Sequence, residues 1–137
     1  MHSKLDNIAF HLVRKLMQQH TACWQQEMQS LTKPQFAVMR AIADQPGIEQ
    51  IQLMDASVST KATLAEMLGR LEKRGLIYRQ ASELDKRRRY VFLTESGQQM
   101  LDEANPKADI VDKQFLDRLN ADEQSTFVRL MQQMIEP

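Results

Sequence analysis

The feature that most constrains this chain is a change of hydrophobic period at Gly75. Up to that point apolar residues recur at the three- and four-residue spacing of helices. After it come two short runs, Leu76-Ile77-Tyr78-Arg79 and Tyr90-Val91-Phe92-Leu93-Thr94, rich in β-branched and aromatic residues that favour strands. Polar Ala81-Ser82-Glu83-Leu84-Asp85-Lys86 separates them, so the pattern predicts a two-stranded hairpin whose returning arm opens with Arg87-Arg88-Arg89. Immediately before Gly75, a helix is predicted from about Lys61 to Arg74, with Gly75 suited to ending it.

The segments around this junction complete the plan. Residues 5–28 predict one long helix, with Leu5, Ile8, Leu12 and Leu16 beside Ala9, Val13 and Met17 in a broad apolar stripe. A second helix is predicted to start at Thr32, with Gln35 reaching back in a capping box and Pro34 in the first turn. Pro46-Gly47 ends it. A short third helix is predicted over Ile48, Ile51, Leu53 and Met54, followed by a break rich in cap residues at Ser57-Val58-Ser59-Thr60. Two short helices joined by a tight turn and followed by a basic hairpin make a winged helix-turn-helix. In the tail, Gly97, Leu101, Ala104, Ala108, Val111 and Phe115 form a heptad seam, with a kink expected at Pro106. Asn120 and Glu123 predict the cap of a last helix carrying Phe127, Leu130, Met131, Met134 and Ile135.

Composition narrows the function classes. The 137 residues suit one domain of ordinary size, or a compact domain with an added helical part. One cysteine points to a reduced, cytoplasmic protein. No apolar run approaches the about 20 residues needed to span a bilayer, and Met1 to Asp6 lacks the apolar stretch of a secretory signal. The zero net charge seems to argue against a nucleic-acid partner, but the charge is unevenly spread. Residues 61–94 hold nine bases against four acids, a net +5, whereas residues 95–137 hold four bases against nine acids, a net −5.

On a helical wheel Leu64, Met67, Leu68 and Leu71 gather on one side of the fourth helix, as core. Ala62, Glu66, Gly69 and Lys73 point the other way, flanked by Thr63, Ala65 and Arg70. Small outward residues let a helix sit deep in a major groove. In the hairpin, crowding Arg87, Arg88 and Arg89 is unfavourable unless an anion offsets them. Asp85 is placed to hold Arg87 bidentately, leaving another guanidinium for a phosphate or a narrow minor groove. The competing explanation is a helical protein-interaction module whose basic wing contacts a protein rather than DNA.

Three blocks resemble MarR-family transcription regulators. Leu31 to Met39 looks like the opening of that family's second helix. Leu71-Glu72-Lys73-Arg74-Gly75-Leu76-Ile77 is similar to its junction from recognition helix to wing. Asp85-Lys86-Arg87 followed by Leu93-Thr94-Glu95-Ser96-Gly97 is similar to its wing signature. The blocks stand in the family's order and spacing. The resemblance implies a mainly α fold with a small β-hairpin wing, flanked by N- and C-terminal dimerisation helices. The divisions are then 1–30 (dimerisation helix), 31–95 (winged helix-turn-helix) and 96–137 (dimerisation helices). It implies a cytoplasmic homodimer, a repressor by expectation, reading a pseudo-palindromic double-stranded DNA operator. The expected DNA-binding residues are Ser59, Thr60, Lys61, Ala62, Thr63, Glu66, Arg70, Lys73, Asp85, Arg87, Arg88 and Arg89. Many relatives carry Ser or Arg at the positions of Ala65 and Glu66, so Glu66 here either accepts from a cytosine amino group or faces solvent. Glu49 stands where relatives often have a Ser cap, so a loose start is expected for the third helix.

The resemblance also implies a small aromatic carboxylate or phenolic effector, such as a hydroxybenzoate. Candidates on the first helix are Arg14 for a carboxylate, His20 for a phenol, Trp24 for ring stacking, and Met17 and Met28 on the same stripe. His11 and Arg40 are further candidates. Alternatively, Met17, Trp24 and Met28 are interface core and Arg14 forms an ion pair. His11 and His20 lie on opposite helix faces and cannot share a metal. Cys23 is either a peroxide sensor, as in some relatives, or a buried inert thiol, the expected state. No nucleophile motif, phosphate loop or paired carboxylates point to an enzyme, and no cofactor is expected.

Overall fold

The structure is a computed structural model describing residues 3–136. A 3-10 turn, Lys4–Asn7, precedes α1 (Ala9–Glu27). Then follow α2 (Lys33–Asp44), β1 (Ile48–Glu49), a 3-10 turn (Gln50–Gln52), α3 (Leu53–Ser57), α4 (Lys61–Lys73), β2 (Ile77–Ala81), β3 (Arg89–Leu93), α5 (Glu95–Leu116) and α6 (Ala121–Ile135). The fold is mainly helical, with one three-stranded antiparallel sheet ordered β1-β3-β2. The chain forms two compact units. One holds the described residues of Met1–Glu27 with those of Lys107–Pro137, and the other spans Met28–Pro106.

In the unit of residues 28–106, local chemistry sets each boundary. Thr32 Oγ1 accepts the Gln35 N–H at 3.2 Å while Gln35 Oε1 accepts the Thr32 N–H at 3.0 Å, the expected reciprocal cap of α2. Thr60 caps α4 by accepting the Thr63 N–H. At the far end of α4 the Gly75 N–H donates to Glu72 O and the Leu76 N–H to Leu71 O, a Schellman closure with Gly75 at φ +74°. Leu71 and Leu76 are both buried, supplying the apolar contact that accompanies such closures. The core of this unit holds Val38, Met39, Ile42, Leu53, Leu64, Leu68, Leu71, Ile77, Val91 and Leu101, all nearly inaccessible. Met67, expected there, is only half-buried.

The short segment after Pro46 departs from the expected helix. Gly47, at φ +82°, reverses the chain and donates its N–H to Val91 O. Ile48 then pairs with Val91 and Glu49 with Tyr90, so these two residues add a third strand to the hairpin. A two-residue strand has no periodicity to detect. α3 consequently starts only at Leu53, after a 3-10 turn in which the Glu49 N–H donates to Gln52 Oε1.

In the other unit, the predicted single helix over 5–28 is interrupted. Ile8 is extended (φ −100°, ψ 118°) between the 3-10 turn and α1. Asp6 closes the turn by accepting the Ser3 N–H at 3.0 Å and the Lys15 ammonium at 3.2 Å. The Lys15 bond, then the Ser3 N–H, hold the Asp6 carboxyl below the usual range. α1 ends at Glu27, so Met28 lies beyond it. α6 begins with the expected cap, Asn120 Oδ1 accepting from the Glu123 N–H while Glu123 Oε1 accepts from the Asn120 N–H. α5, whose residues are divided between the two units, is one continuous helix through Pro106; its seam residues Gly97, Leu101, Ala104, Ala108 and Val111 are buried, with Phe115 half-buried.

Candidate nucleic-acid interface

α4 presents the outward face expected of it. Lys61, Ala62, Thr63, Ala65, Glu66, Arg70 and Lys73 are exposed. A Cβ at Gly69 would meet nothing within 4 Å, so no packing neighbour demands this glycine. Glu66 is engaged along the helix, accepting from Arg70 at 2.6 Å, which is an i,i+4 pair rather than a bare carboxylate. Ser59 is half-buried and shares its hydroxyl with buried Ser57 at 2.6 Å. Its role is in the turn before α4. Thr60 likewise caps the helix and donates to Thr63 Oγ1.

The wing tip is tied by its own polar groups. Ser82 Oγ accepts the N–H groups of Leu84 and Asp85, the Ser82 N–H donates to Arg88 O, and the Arg88 N–H donates to Asp85 O. Asp85 does hold Arg87, but not bidentately between two oxygens. One oxygen, Oδ1, accepts both the Arg87 backbone N–H at 3.0 Å and its Nε at 3.4 Å. The Arg87 side chain stays 93% exposed.

Four of the nine bases in 61–94 meet a carboxylate among the described residues: Arg70 with Glu66, Arg79 with Glu72, Arg87 with Asp85 and Arg88 with Glu49. Glu49 and Glu72 were not expected to play a part. The alternation along β2 from buried Ile77 turns Arg79 inward to Glu72, while Glu49 meets Arg88. The Arg79 hydrogen bond holds the Glu72 carboxyl below its usual pKa. Between the start of α4 and the arm of the wing lies a cleft of ≈ 300 Å³, lined by Lys61, Arg87, Arg88 and Arg89 with Glu49, Ile51 and Met54 among its other walls. Four cations around a cleft beside an exposed helix suit a phosphate backbone.

The effector candidates do not form one set. Arg14 and Met17 line an open groove along α1 with Val13, Gln18, Thr21, Ala22 and Gln25. Arg14 has no ion pair among the described residues, contrary to the alternative expected for it. His20 and Trp24 are not in that groove. His20 stacks near Trp24 and lies tilted against Phe115, bonds Asp112 through Nε2 at 2.7 Å, and keeps Nδ1 buried without a partner. Trp24 and Met28 are buried in the chain itself, whereas Met17 is exposed. His11 lies 4.0 Å from Asp6. Arg40, in the other unit, donates to Asn105 and sits over the Phe36 ring. Cys23 is half-buried rather than buried, and its thiol donates to Gln114 Oε1 at 3.1 Å. Among the described residues no group of three His, Cys, Asp or Glu side chains is placed to hold a metal.

A short-residue helix face followed by a cation-bearing hairpin on one compact unit defines a winged-helix DNA-binding protein. Residues 31–88 match the MarR family. Over 131 residues the chain is 60% identical to transcriptional regulator HosA of Escherichia coli O157:H7, covering 96% of this chain and 97% of that protein. PcaV of Streptomyces coelicolor, solved in complex with its natural ligand, is similar with a TM-score of 0.91 at 29% identity, covering 99% of this chain and 97% of that one. BpsR of Bordetella bronchiseptica, whose DNA binding is regulated by 6-hydroxynicotinic acid, has a TM-score of 0.85 at 29% identity, covering 93% and 98%. The chain belongs to the MarR family: it is a DNA-binding transcriptional regulator and not an enzyme. No helix among the described residues is long and apolar enough to cross a membrane.

Proposed function

We propose that this regulator is a cytoplasmic homodimeric repressor that leaves a pseudo-palindromic operator when a small aromatic or phenolic acid binds. The observation that carries DNA reading is the exposed small-residue face of α4 beside the Lys61–Arg89 cleft. In this reading α4 lies in the major groove, Lys61, Thr63 and Arg70 reach base edges or phosphates, and Arg87 extends to the flanking minor groove. Dimerisation is supported by apolar side chains exposed on one unit, Phe10 at 66% and Ile135 at 77% among them.

For the effector, Arg14 is the residue we assign to the carboxylate, with Met17 beside it. Its open groove and lack of an ion pair among the described residues support this. So does the response of BpsR to an aromatic acid. Binding would favour a dimer geometry unsuited to successive major grooves. A mobility-shift titration on DNA upstream of the regulator's own gene tests the first part. Arg87→Ala is expected to weaken binding by about tenfold and to lower the salt slope by about one; wild-type affinity at every salt concentration removes the wing from the interface. Benzoate, hydroxybenzoates and 6-hydroxynicotinate titrated on the complex test the second part. Release from the wild type but not from Arg14→Ala is expected, and equal release from both removes Arg14 from the site.

A further inference from the structure

The wing's attachment to α4 contains a charged residue where packing calls for an apolar one. Along β2, Ile77 is buried, Tyr78 is exposed, Arg79 is half-buried and Gln80 is exposed. Arg79 therefore occupies the inward face, in register with Val91 of the central strand. A guanidinium there is unfavourable unless its donors are met. They are met on two sides. Nε donates to Glu72 Oε2 at 3.3 Å and one Nη to Glu72 Oε1 at 2.9 Å, a two-pronged contact with the last turn of α4. The other Nη donates to Gln50 Oε1 at 3.3 Å, on the 3-10 turn that leaves β1. The Arg79 side chain is 22% exposed, too enclosed to serve as a free cation on the surface.

We propose that Arg79 is the positioning residue that sets the angle between the wing and the recognition helix, without touching DNA itself. It joins β2, the end of α4 and the turn after β1. Arg87 can meet DNA only if the hairpin is held at the right angle to α4, because the tip lies at the far end of both strands. Lysine keeps the charge but offers one ammonium in place of the planar fork, so it cannot engage both Glu72 oxygens and Gln50 together. This inference rests on the DNA-binding reading of the wing.

The test is fluorescence anisotropy on the operator at several salt concentrations. The proteins are the wild type, Arg79→Lys, Glu72→Gln, Arg87→Ala, each of the first two variants combined with Arg87→Ala, and the charge swap Glu72→Arg with Arg79→Glu. Thermal unfolding of each is the control. Arg79→Lys and Glu72→Gln are expected to weaken binding by about tenfold and to lower the salt slope by about one, as Arg87→Ala does, although Arg79→Lys removes no charge. Adding Arg87→Ala to either is expected to change affinity less than twofold, since the misplaced tip no longer contributes. The swap is expected to recover at least part of the loss. Losses that multiply with that of Arg87→Ala overturn the proposal, as does wild-type affinity in both single variants. Should Arg79→Lys fail to fold, Glu72→Gln carries the same comparison from an exposed carboxylate. A wild type that ignores the operator, or Arg87→Ala that binds as well as wild type, instead strikes the DNA-binding reading beneath it.

Discussion

Val58 is the one non-glycine residue among those described with positive φ, at +51°. It sits between α3 and α4 in the left-handed region, where a β-branched side chain crowds its own backbone. It is also 90% exposed, so its side chain earns almost no burial in exchange. Val58→Gly is expected to raise stability by about 1 kcal/mol, read as a higher urea midpoint at unchanged slope. The cap-rich Ser57 to Thr60 stretch is legible as a break between helices, but nothing about a valine signals positive φ. Glu72 supplies a second expectation. Its carboxyl titrates below its ordinary 4.5 because Arg79 bonds the ionised form. A depressed folded-state pKa contributes stability that is complete above the unfolded value and lost as pH falls through the folded one. The stability gap between wild type and Glu72→Gln is therefore expected to be full at pH 7 and to close below about pH 4.5 in acid titrations followed by circular dichroism.

Helix ends with side-chain caps are readable in advance, because Thr32 with Gln35 and Asn120 with Glu123 carry their hydrogen-bonding chemistry in adjacent residues. The α5 seam is readable too, since its spacing repeats over five turns. Strand β1 is not, because its existence depends on a partner more than 40 residues away in sequence. The same is true of Arg79, which looks like one more base of the wing until its inward register is known. The Leu93-Thr94-Glu95-Ser96-Gly97 block joins both kinds of signal. Thr94 Oγ1 donates to Gly75 O at 2.6 Å and accepts the Gly97 N–H at 3.0 Å, and the Thr94 N–H donates to Leu76 O. A Cβ at Gly97 would overlap the Leu76 carbonyl, a backbone group that cannot swing aside. Gly97→Ala is expected to destabilise by about 1–3 kcal/mol in denaturant titration, although alanine is the better helix former.

At the scale of the molecule, charge is divided along the chain rather than between the two units. The basic segment 61–94 supplies the hairpin and α4, and the acidic segment 95–137 supplies α5 and α6. Local pairing tempers the +5, so the salt dependence of operator binding should reflect the cations left for phosphates rather than the count of bases. The exposed apolar side chains of the other unit lead to an assembly prediction. Phe10→Glu with Ile135→Glu is expected to yield a folded monomer by light scattering that no longer shifts operator DNA. A dimer that persists in this double variant would place the interface elsewhere.

The pairing of residues 3–27 with residues 107–136 in one unit also bears on how the chain is made. Residues 28–106 hold all three strands and α2 to α4, so their contacts close within one contiguous stretch as it leaves the ribosome. α1 emerges before this stretch but belongs to a unit whose other half emerges after it. At about 5–20 residues per second, α1 waits several seconds for its partner segment, its apolar stripe open throughout. Nascent chains of this protein are thus most vulnerable to chaperone capture or aggregation at α1, after residues 28–106 have already taken shape.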